Sequence, residues 1–308
     1  MPTPAWRHFD TRFGAGFDSI AAAIGERTGV PFTALSVKPV SGGSIHRAWH
    51  LDDGLRHYFA KTGGIAAAPR FAAEAQGLQA LSAAAVVPTP TFITLGQTGS
   101  EAFLVLEHLE LTPLTPSAGA RLGVAMAQLH RISGDSFGWT ADNFIGATPQ
   151  RNAPHPGWPH FFGERRLRPQ LELALQNGMK RTLVEKAYGV IERIGGLFID
   201  YRPLPSLLHG DLWSGNVAQS SSGLPVIFDP ACYYGDREAD IAMAELFGGF
   251  PISFYAAYRA AWPLDPGYEA RKPLYNLYHI LNHFNLFGDA YLGQATRMIE
   301  RLLTELKR

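Results

Sequence analysis

The sequence predicts an α+β fold in which a small antiparallel β unit precedes a larger, mainly helical unit. The 308 residues are enough for two folding units, because single cores rarely grow beyond about 250–300 residues. Residues 35–61 alternate in hydrophobicity between turn signals, whereas most of the chain after Leu109 has helical spacing. We therefore expect one domain at 1–109 and another at 110–308.

The first unit should contain five strands and two helices. Apolar residues at helical spacing predict an opening helix over 17–27. A second helix is expected over 69–84, ended by Pro88 and Pro90. The strands are expected at 35–40, 45–51, 56–61, 91–95 and 102–107. The first three should form a meander, because Gly-rich and Asp-Gly turns separate them.

The second unit should be mostly helical. Helices are expected over 117–132, 166–176 and 183–194, with several more from residue 239 to the C-terminus. A short strand pair is expected around 207–208 and 226–228, and residues 220–223 have the composition of a hairpin tip.

The composition excludes several classes of protein. Lys plus Arg and Asp plus Glu both number 27, so no net field would attract nucleic acid or an anionic membrane. Apolar residues make up 46% and charged residues 18%, which indicates a packed core and not a disordered chain. Cys232 is the single cysteine, so no intramolecular disulfide can form. Residues 1–10 have no apolar stretch of the secretory kind, and we expect a cytoplasmic protein.

The strongest chemical signal is the segment from His209 to Asn216, which reads His-Gly-Asp-Leu-Trp-Ser-Gly-Asn, followed by a short strand that ends at Asp229. This is the catalytic-loop pattern of phosphoryl transfer. Asp211 would orient the attacking hydroxyl and accept its proton, while Asn216 and Asp229 would offer hard oxygen ligands to Mg²⁺. His209 is expected to pack and to bond the loop backbone, and Asp240 to brace that backbone.

Weaker signals in the first unit complete a nucleotide site. Gly42, Gly43 and Ser44 form a turn that could bring backbone N–H groups to phosphate. An ordinary hairpin would explain these glycines equally well. Lys61, on an apolar strand, and Glu74, on the next helix, match the lysine and glutamate that position ATP phosphates, although each alone would be read as a solvated charge. The backbone of Glu107 and Leu109 would face adenine.

Together these residues resemble the protein-kinase-like superfamily and, more specifically, the fructosamine (ketosamine) 3-kinase family. The further segments that carry the resemblance are FGW at 137–139, DNFIG at 142–146, FF at 161–162, ERRLRPQL at 164–171, FDPACYYGDRE at 228–238, AELFGGF at 244–250 and LNH at 281–283. The resemblance implies a two-lobe kinase fold. It also implies ATP- and Mg²⁺-dependent 3-O-phosphorylation of ketosamines, meaning the ribulosamine, erythrulosamine or fructosamine adducts of amines, which leads to deglycation.

The resemblance also implies that Trp213 stacks on the sugar of the acceptor. Many relatives carry a cysteine in the Gly-rich loop where this chain has Ser44, so we do not expect a disulfide switch there. The expected partner is a small or protein-bound ketoamine, and whether the protein is a monomer or a homodimer stays open.

Three other functions share part of this pattern. A phosphotransferase acting on an aminoglycoside, choline or a similar alcohol shares the His-Gly-Asp loop. A protein kinase is disfavoured because Asp229 leads directly into Tyr233 and a helix near Asp240, without an activation segment. A catalytically dead nucleotide-binding scaffold is disfavoured because every charged member of the set is present.

Overall fold

The computed structural model of the protein describes residues 15–41 and 46–307, and these form two compact units. One consists of the described part of Met1–Ala72 together with Thr91–His108, and the other of Ala73–Pro90 together with Leu109–Arg308 as far as described. The second helix of the chain thus contributes residues to both units. The division into domains at residue 109 stays a prediction.

The first unit is built on a five-stranded antiparallel sheet, as predicted. Its strands lie in the order β1-β2-β3-β5-β4. They are β1 (Ser36–Val40), β2 (Arg47–Asp52), β3 (His57–Gly64), β4 (Phe92–Thr98) and β5 (Glu101–Glu107). Helix α1 (Ala15–Thr28) buries Ile20 and Ile24 in a core with Leu51, Tyr58 and Val105 of the sheet. The strand alternation that predicted the sheet is the same alternation that fills this core.

Helices dominate the second unit. Helix α2 (Ala68–Ala84) runs into it, and the others are α3 (Pro116–Leu129), α4 (Trp158–Phe162), α5 (Arg168–Gln176), α6 (Arg181–Arg193), α7 (Glu238–Leu246), α8 (Ile252–Ala261), α9 (Tyr268–Phe287) and α10 (Leu292–Glu305). A π-helical turn, Gly163–Leu167, joins α4 to α5, so the helix predicted over 166–176 is part of a longer helical stretch.

Helices α3 and α8 approach each other closely. A Cβ atom placed on Gly123 of α3 would lie 2.2 Å from the carbonyl oxygen of Phe254 in α8. Glycine is therefore required for this contact. The close packing fixes the C-terminal end of α3, where His130 enters the site described below.

The described part of the second unit also contains seven short strands, and the loop that carries Asp211 follows one of them, β9 (Ser206–Leu208). They are β6 (Leu111–Thr112), β7 (Asn143–Ile145), β8 (Thr148–Gln150), β9 (Ser206–Leu208), β10 (Val217–Ser220), β11 (Pro225–Ile227) and β12 (Tyr233–Gly235). The expected pairing of 207–208 with 226–228 is wrong, because β9 pairs with β12 and β11 pairs with β10. The hairpin tip at 220–223 is confirmed, closed by a hydrogen bond from Gly223 N to Ser220 O.

No helix in the described ranges is both long and apolar enough to span a membrane.

Candidate active site

The loop that follows β9 makes a tight turn at Gly210. This residue has φ of +81°, and a Cβ atom there would lie 2.0 Å from the carbonyl oxygen of Ala231. The segment between β11 and β12 is held close by a hydrogen bond from Ala231 N to His209 O of 2.8 Å. Only glycine satisfies both the positive φ and the close approach, so the His-Gly-Asp sequence has a steric origin.

Asp240, in the first turn of α7, holds the backbone of this loop. His209 N donates to its Oδ2 at 2.8 Å, and Gly210 N donates to its Oδ1 at 2.9 Å. His130 Nε2 lies 3.1 Å from Oδ2 on the other side. Burial would raise the pKa of Asp240, but the hydrogen bond from His130, together with the loop N–H groups, lowers it below its usual value. The bracing role expected of Asp240 is confirmed.

The partners of Asp240 were not apparent in the sequence. His130 Nδ1 lies 2.8 Å from the Tyr258 hydroxyl, which in turn receives a hydrogen bond from Arg237 Nη1 at 3.1 Å. Because the Tyr258 hydroxyl can donate to Nδ1, the remaining N–H of a neutral His130 ring points to Asp240. These residues come from α3, α7 and α8 or their ends, and local sequence carries no signal of their contact.

His209 is fully enclosed and satisfied by backbone groups. Its Nδ1 accepts from Asp211 N at 3.3 Å, so the other ring nitrogen carries the hydrogen and donates to Phe228 O at 3.0 Å. Burial lowers the pKa of His209. The ring therefore shapes the loop, as expected, and both nitrogens are occupied by these contacts.

The loop brings Asp211, Asn216 and Asp229 together. Asn216 Nδ2 donates to Asp211 O at 2.9 Å, to Asp211 Oδ2 at 3.1 Å and to Asp229 O at 3.4 Å. Asp229 follows β11 with φ of +57°, a left-handed conformation that aspartate tolerates better than most residues. Burial raises the pKa of Asp211 to about 7. The hydrogen bond from Asn216 lowers this pKa, whereas the negative charges of Asp229 and Asp240 raise it further.

The chemistry of these side chains fits Mg²⁺. The amide nitrogen of Asn216 is engaged by Asp211 and the Asp229 backbone, so its amide oxygen is the end that a cation can use. No group of three or more His, Cys, Asp or Glu side chains suited to a metal occurs within the described ranges. Mg²⁺ commonly takes one or two protein ligands and completes its shell with substrate phosphates and water, so Asn216 and Asp229 would suffice as its protein ligands.

The residues expected to bind nucleotide are distributed over both units. Gly42, Gly43 and Ser44 lie outside the described residues. Lys61 is buried on β3, opposite Ala48 and Leu104 in the sheet. Glu107 ends β5, and its carboxylate accepts from Thr91 N at 3.1 Å and from Thr91 Oγ1 at 2.6 Å. In the second unit, Glu74 lies half-buried on α2, and Leu109 is half-buried beyond the last strand of the sheet. Their roles stay predictions.

Trp213 is a surface residue of the loop. Its side chain is 38% exposed, and a Cβ atom on Gly215 would lie 2.3 Å from the indole ring. The glycine therefore lets the indole lie directly over the loop backbone. The ring meets Phe247 edge-on with centroids 6.5 Å apart. Phe247 lies in a segment that carried the family resemblance, but its place beside Trp213 was not predicted.

Fold and site together define a phosphotransferase of the kinase-like class. The sequence model of the family described as Fructosamine kinase matches residues 17–305. A protein of Synechocystis sp. named "Probable ketoamine kinase" is 45% identical over 94% of this chain and 97% of its own length. The "Protein-ribulosamine 3-kinase, chloroplastic" of Arabidopsis thaliana is 39% identical over 87% of this chain and 82% of its own length. The chain belongs to the fructosamine kinase family.

Solved structures agree with this assignment. The crystal structure named "Putative fructosamine-3-kinase" from Haemophilus somnus 129PT is similar with a TM-score of 0.86 and 29% identity, over 94% of this chain and 98% of that one. An aminoglycoside phosphotransferase in ternary complex with ADP and hygromycin B has a TM-score of 0.62 at 17% identity, over 94% of this chain and 98% of that one. The second likeness concerns the fold alone. The predicted fold class and family are confirmed.

Proposed function

We propose that this protein uses ATP and Mg²⁺ to phosphorylate the 3-hydroxyl of ketosamines, the ribulosamine, erythrulosamine or fructosamine adducts of amines. The 3-phosphate formed is unstable in this proposal: enolisation expels inorganic phosphate from carbon 3, and water then splits the resulting imine into the free amine and a 3-deoxy dicarbonyl sugar, so the reaction leads to deglycation. The observation that carries the proposal is the juxtaposition of Asp211, Asn216 and Asp229 in a chain of the fructosamine kinase family. The names of the relatives support the ketoamine acceptor.

Asp211 is the catalytic carboxylate. The acceptor hydroxyl oxygen forms a bond to the γ-phosphorus as the bond from that phosphorus to the β,γ-bridging oxygen breaks, and ADP leaves. The hydroxyl proton passes to Asp211. A carboxyl group whose pKa is about 7 can accept this proton and return it to water at neutral pH. Asn216 holds the carboxylate at Oδ2, so the base is positioned before the acceptor arrives.

Asn216 and Asp229 would hold the cation through the amide oxygen and the carboxylate. Mg²⁺ bound with ATP supplies neutralisation of the charge that develops on the β- and γ-phosphates. Lys61 and Glu74 would position the α- and β-phosphates, Gly42, Gly43 and Ser44 would cover them, and the backbone of Glu107 and Leu109 would bind adenine. Trp213 would stack on the carbon-bound hydrogens of the sugar.

The test is a side-by-side measurement of ADP release with ribulosyl-lysine, erythrulosyl-lysine, fructosyl-lysine and an aminoglycoside as acceptors, each with Mg²⁺ and with EDTA. We expect turnover of at least one ketoamine, dependence on Mg²⁺, and slow release of free lysine from the phosphorylated product. Turnover of the aminoglycoside alone would replace this proposal with the related alcohol phosphotransferase. Phosphate at a hydroxyl other than the 3-hydroxyl, located by NMR of the product, would contradict the assigned position.

A further inference from the structure

A row of aromatic side chains leads away from the catalytic loop along the surface of the second unit. It consists of Trp213, Phe247, His283, Phe287 and Tyr291, which we call the aromatic row. The ring centroids are 6.5 Å apart between Trp213 and Phe247 and 4.9 Å apart between Phe247 and His283. His283 in turn lies 5.6 Å from Phe287 and 5.0 Å from Tyr291. The row is therefore continuous from the loop that carries Asp211.

Three members of the row are exposed although they are apolar, and His283 and Tyr291 are half-buried. Phe247 is 39% and Phe287 52% exposed, similar to the 38% of Trp213. Large contiguous aromatic surfaces of this kind are unusual in a chain that does not bind something there. The segment after α7 is also shaped to present Phe247. Gly248 and Gly249 both have positive φ, and a Cβ atom on Gly249 would lie 2.4 Å from Ser214 Oγ of the catalytic loop. The position of Phe247 is thus tied to that loop.

The row has the electrostatic character of a site for a cation. The faces of aromatic rings attract ammonium groups. His283 Nδ1 lies 2.8 Å from the carbonyl oxygen of His279, which can only accept, so Nδ1 carries the hydrogen. In the neutral ring Nε2 is then a hydrogen-bond acceptor. Burial lowers the pKa of His283, which favours this neutral form. Asp289, in the same short turn as Tyr291, adds an exposed negative charge near the outer end.

We propose that the aromatic row binds the amine side of the acceptor, namely the protonated secondary ammonium of a glycated lysine and the methylene chain behind it. The inference rests on the proposed function. In a ketoamine the nitrogen is attached to the carbon beside the carbonyl, so it follows closely behind the 3-hydroxyl that Asp211 orients. The ammonium would lie against Trp213, Phe247 and His283, and the methylene groups against Phe287.

The contact is made equally in the ground state and the transition state, because the methylene chain takes no part in the reaction. Its loss should therefore raise KM for an acceptor that has the chain and leave kcat unchanged. An acceptor in which methylamine replaces lysine keeps the ammonium and the sugar but has no chain to reach Phe287. It should be insensitive to this residue.

The experiment compares Nα-acetyl-Nε-ribulosyl-lysine with ribulosyl-methylamine in the wild-type protein, in Phe287→Ala and in Ile199→Ala. Ile199 is a matched control because it is 78% exposed and lies in the same unit outside the aromatic row. We expect Phe287→Ala to lower the ratio of kcat/KM for the two acceptors by about 5- to 10-fold, through KM of the lysine derivative, because the methylene groups lose an apolar contact. Ile199→Ala should leave the ratio unchanged, and KM for ATP should be the same in all three proteins.

The result separates this inference from the function on which it rests. Turnover of both acceptors with an unchanged ratio in Phe287→Ala would overturn the inference alone. A wild-type protein that phosphorylates neither acceptor, nor any other ketoamine, would overturn the proposed function and the inference with it. Phe287→Leu gives an independent check, because it keeps most of the apolar area that the methylene groups would contact, and its ratio should lie close to that of the wild type. A loss as large as that in Phe287→Ala would contradict the assigned contact with the methylene chain.

Discussion

The catalytic loop and the aromatic row are neighbours in the second unit but are built in opposite ways. The start of the loop is held by hydrogen bonds of its backbone N–H groups and side chains to Asp240, His209 and Asn216. The row is partly open to solvent and is held by ring contacts with centroids 4.9–6.5 Å apart. A fixed geometry suits the transfer of a phosphoryl group, whereas an open apolar surface accommodates variation in the part of the acceptor that does not react.

The largest effect should follow from a change in the loop that leaves its shape intact. Asp211→Asn keeps an oxygen that can accept from Asn216 but cannot take the hydroxyl proton. We expect kcat to fall by about 10²- to 10⁴-fold while Kd for ATP changes by no more than about twofold. Steady-state kinetics and calorimetric titration of nucleotide measure the two quantities. Asp135→Asn, at an exposed position, is the control, and a kcat near wild type in Asp211→Asn would refute the assignment of the base.

Replacement of Asp240, whose carboxylate braces the backbone of the loop, should affect the stability of the protein as well as its rate of turnover. Asp240→Ala leaves the N–H groups of His209 and Gly210, and the ring of His130, without their buried acceptor. We expect the free energy of unfolding in urea to fall by about 3–5 kcal/mol. Asp240→Asn, which keeps one acceptor oxygen, should lose about 1–3 kcal/mol. If Asp240→Ala were as stable as an Asp135→Ala control, the hydrogen bonds of Asp240 would not stabilise the protein. The proposed difference between a fixed loop and an open row would then be wrong.

Trp213 joins the two regions, and its replacement should have a smaller effect. Trp213→Ala should raise KM for the ketoamine by about 3- to 10-fold through loss of the stacking face. KM for ATP should stay the same, and Trp213→Phe should recover most of the affinity. Initial rates at varied acceptor and ATP concentrations give both constants. An equal loss for ATP and acceptor would show that the indole maintains the loop and does not contact the sugar.

The smallest expected effect is the change with pH in the stability that the Asp240 carboxylate provides. The pKa of Asp240 is lowered in the folded protein by His130, His209 and the loop N–H groups. The stabilisation of the fold by the Asp240 carboxylate is therefore present at pH values above its pKa in the unfolded chain, which is about 3.9. It is lost as the pH falls through the pKa of Asp240 in the folded protein. The difference in unfolding free energy between wild type and Asp240→Asn should be constant from about pH 7 to 5 and should narrow below about pH 4. A difference that instead widens as the pH falls from about 6 would show that the carboxyl is not stabilised as an anion.

Local sequence predicted the loop better than it predicted its surroundings. The spacing of Asp211, Asn216 and Asp229 requires only a short hairpin, so the residues that meet are close in sequence. The contact between His130 and Asp240 joins residues far apart in the chain, and only the packing of helices brings them together. The pairing of β9 with β12 was not predicted either. Strands of three residues carry almost no information about which strand they pair with.

The aromatic row shows a different limit of prediction. His283 and Phe287 are four residues apart in α9 and have the spacing of a buried helix face, so periodicity alone indicates core packing. The helix ends at Phe287, which is exposed, although Phe284 in the same turn is buried. Exposure depends on where the neighbouring elements end, which no local pattern records.

Gly210 also bears on how such an enzyme can be controlled. Protein kinases have arginine at this position of the motif, and activation loops are ordered when a phosphorylated residue pairs with arginine. Here the carbonyl of Ala231 occupies the space of any side chain, so residue 210 can offer no cation to a phosphorylated segment. A permanent carboxylate of the same chain holds the loop instead. The loop therefore takes its hydrogen-bonded shape without a phosphorylated residue.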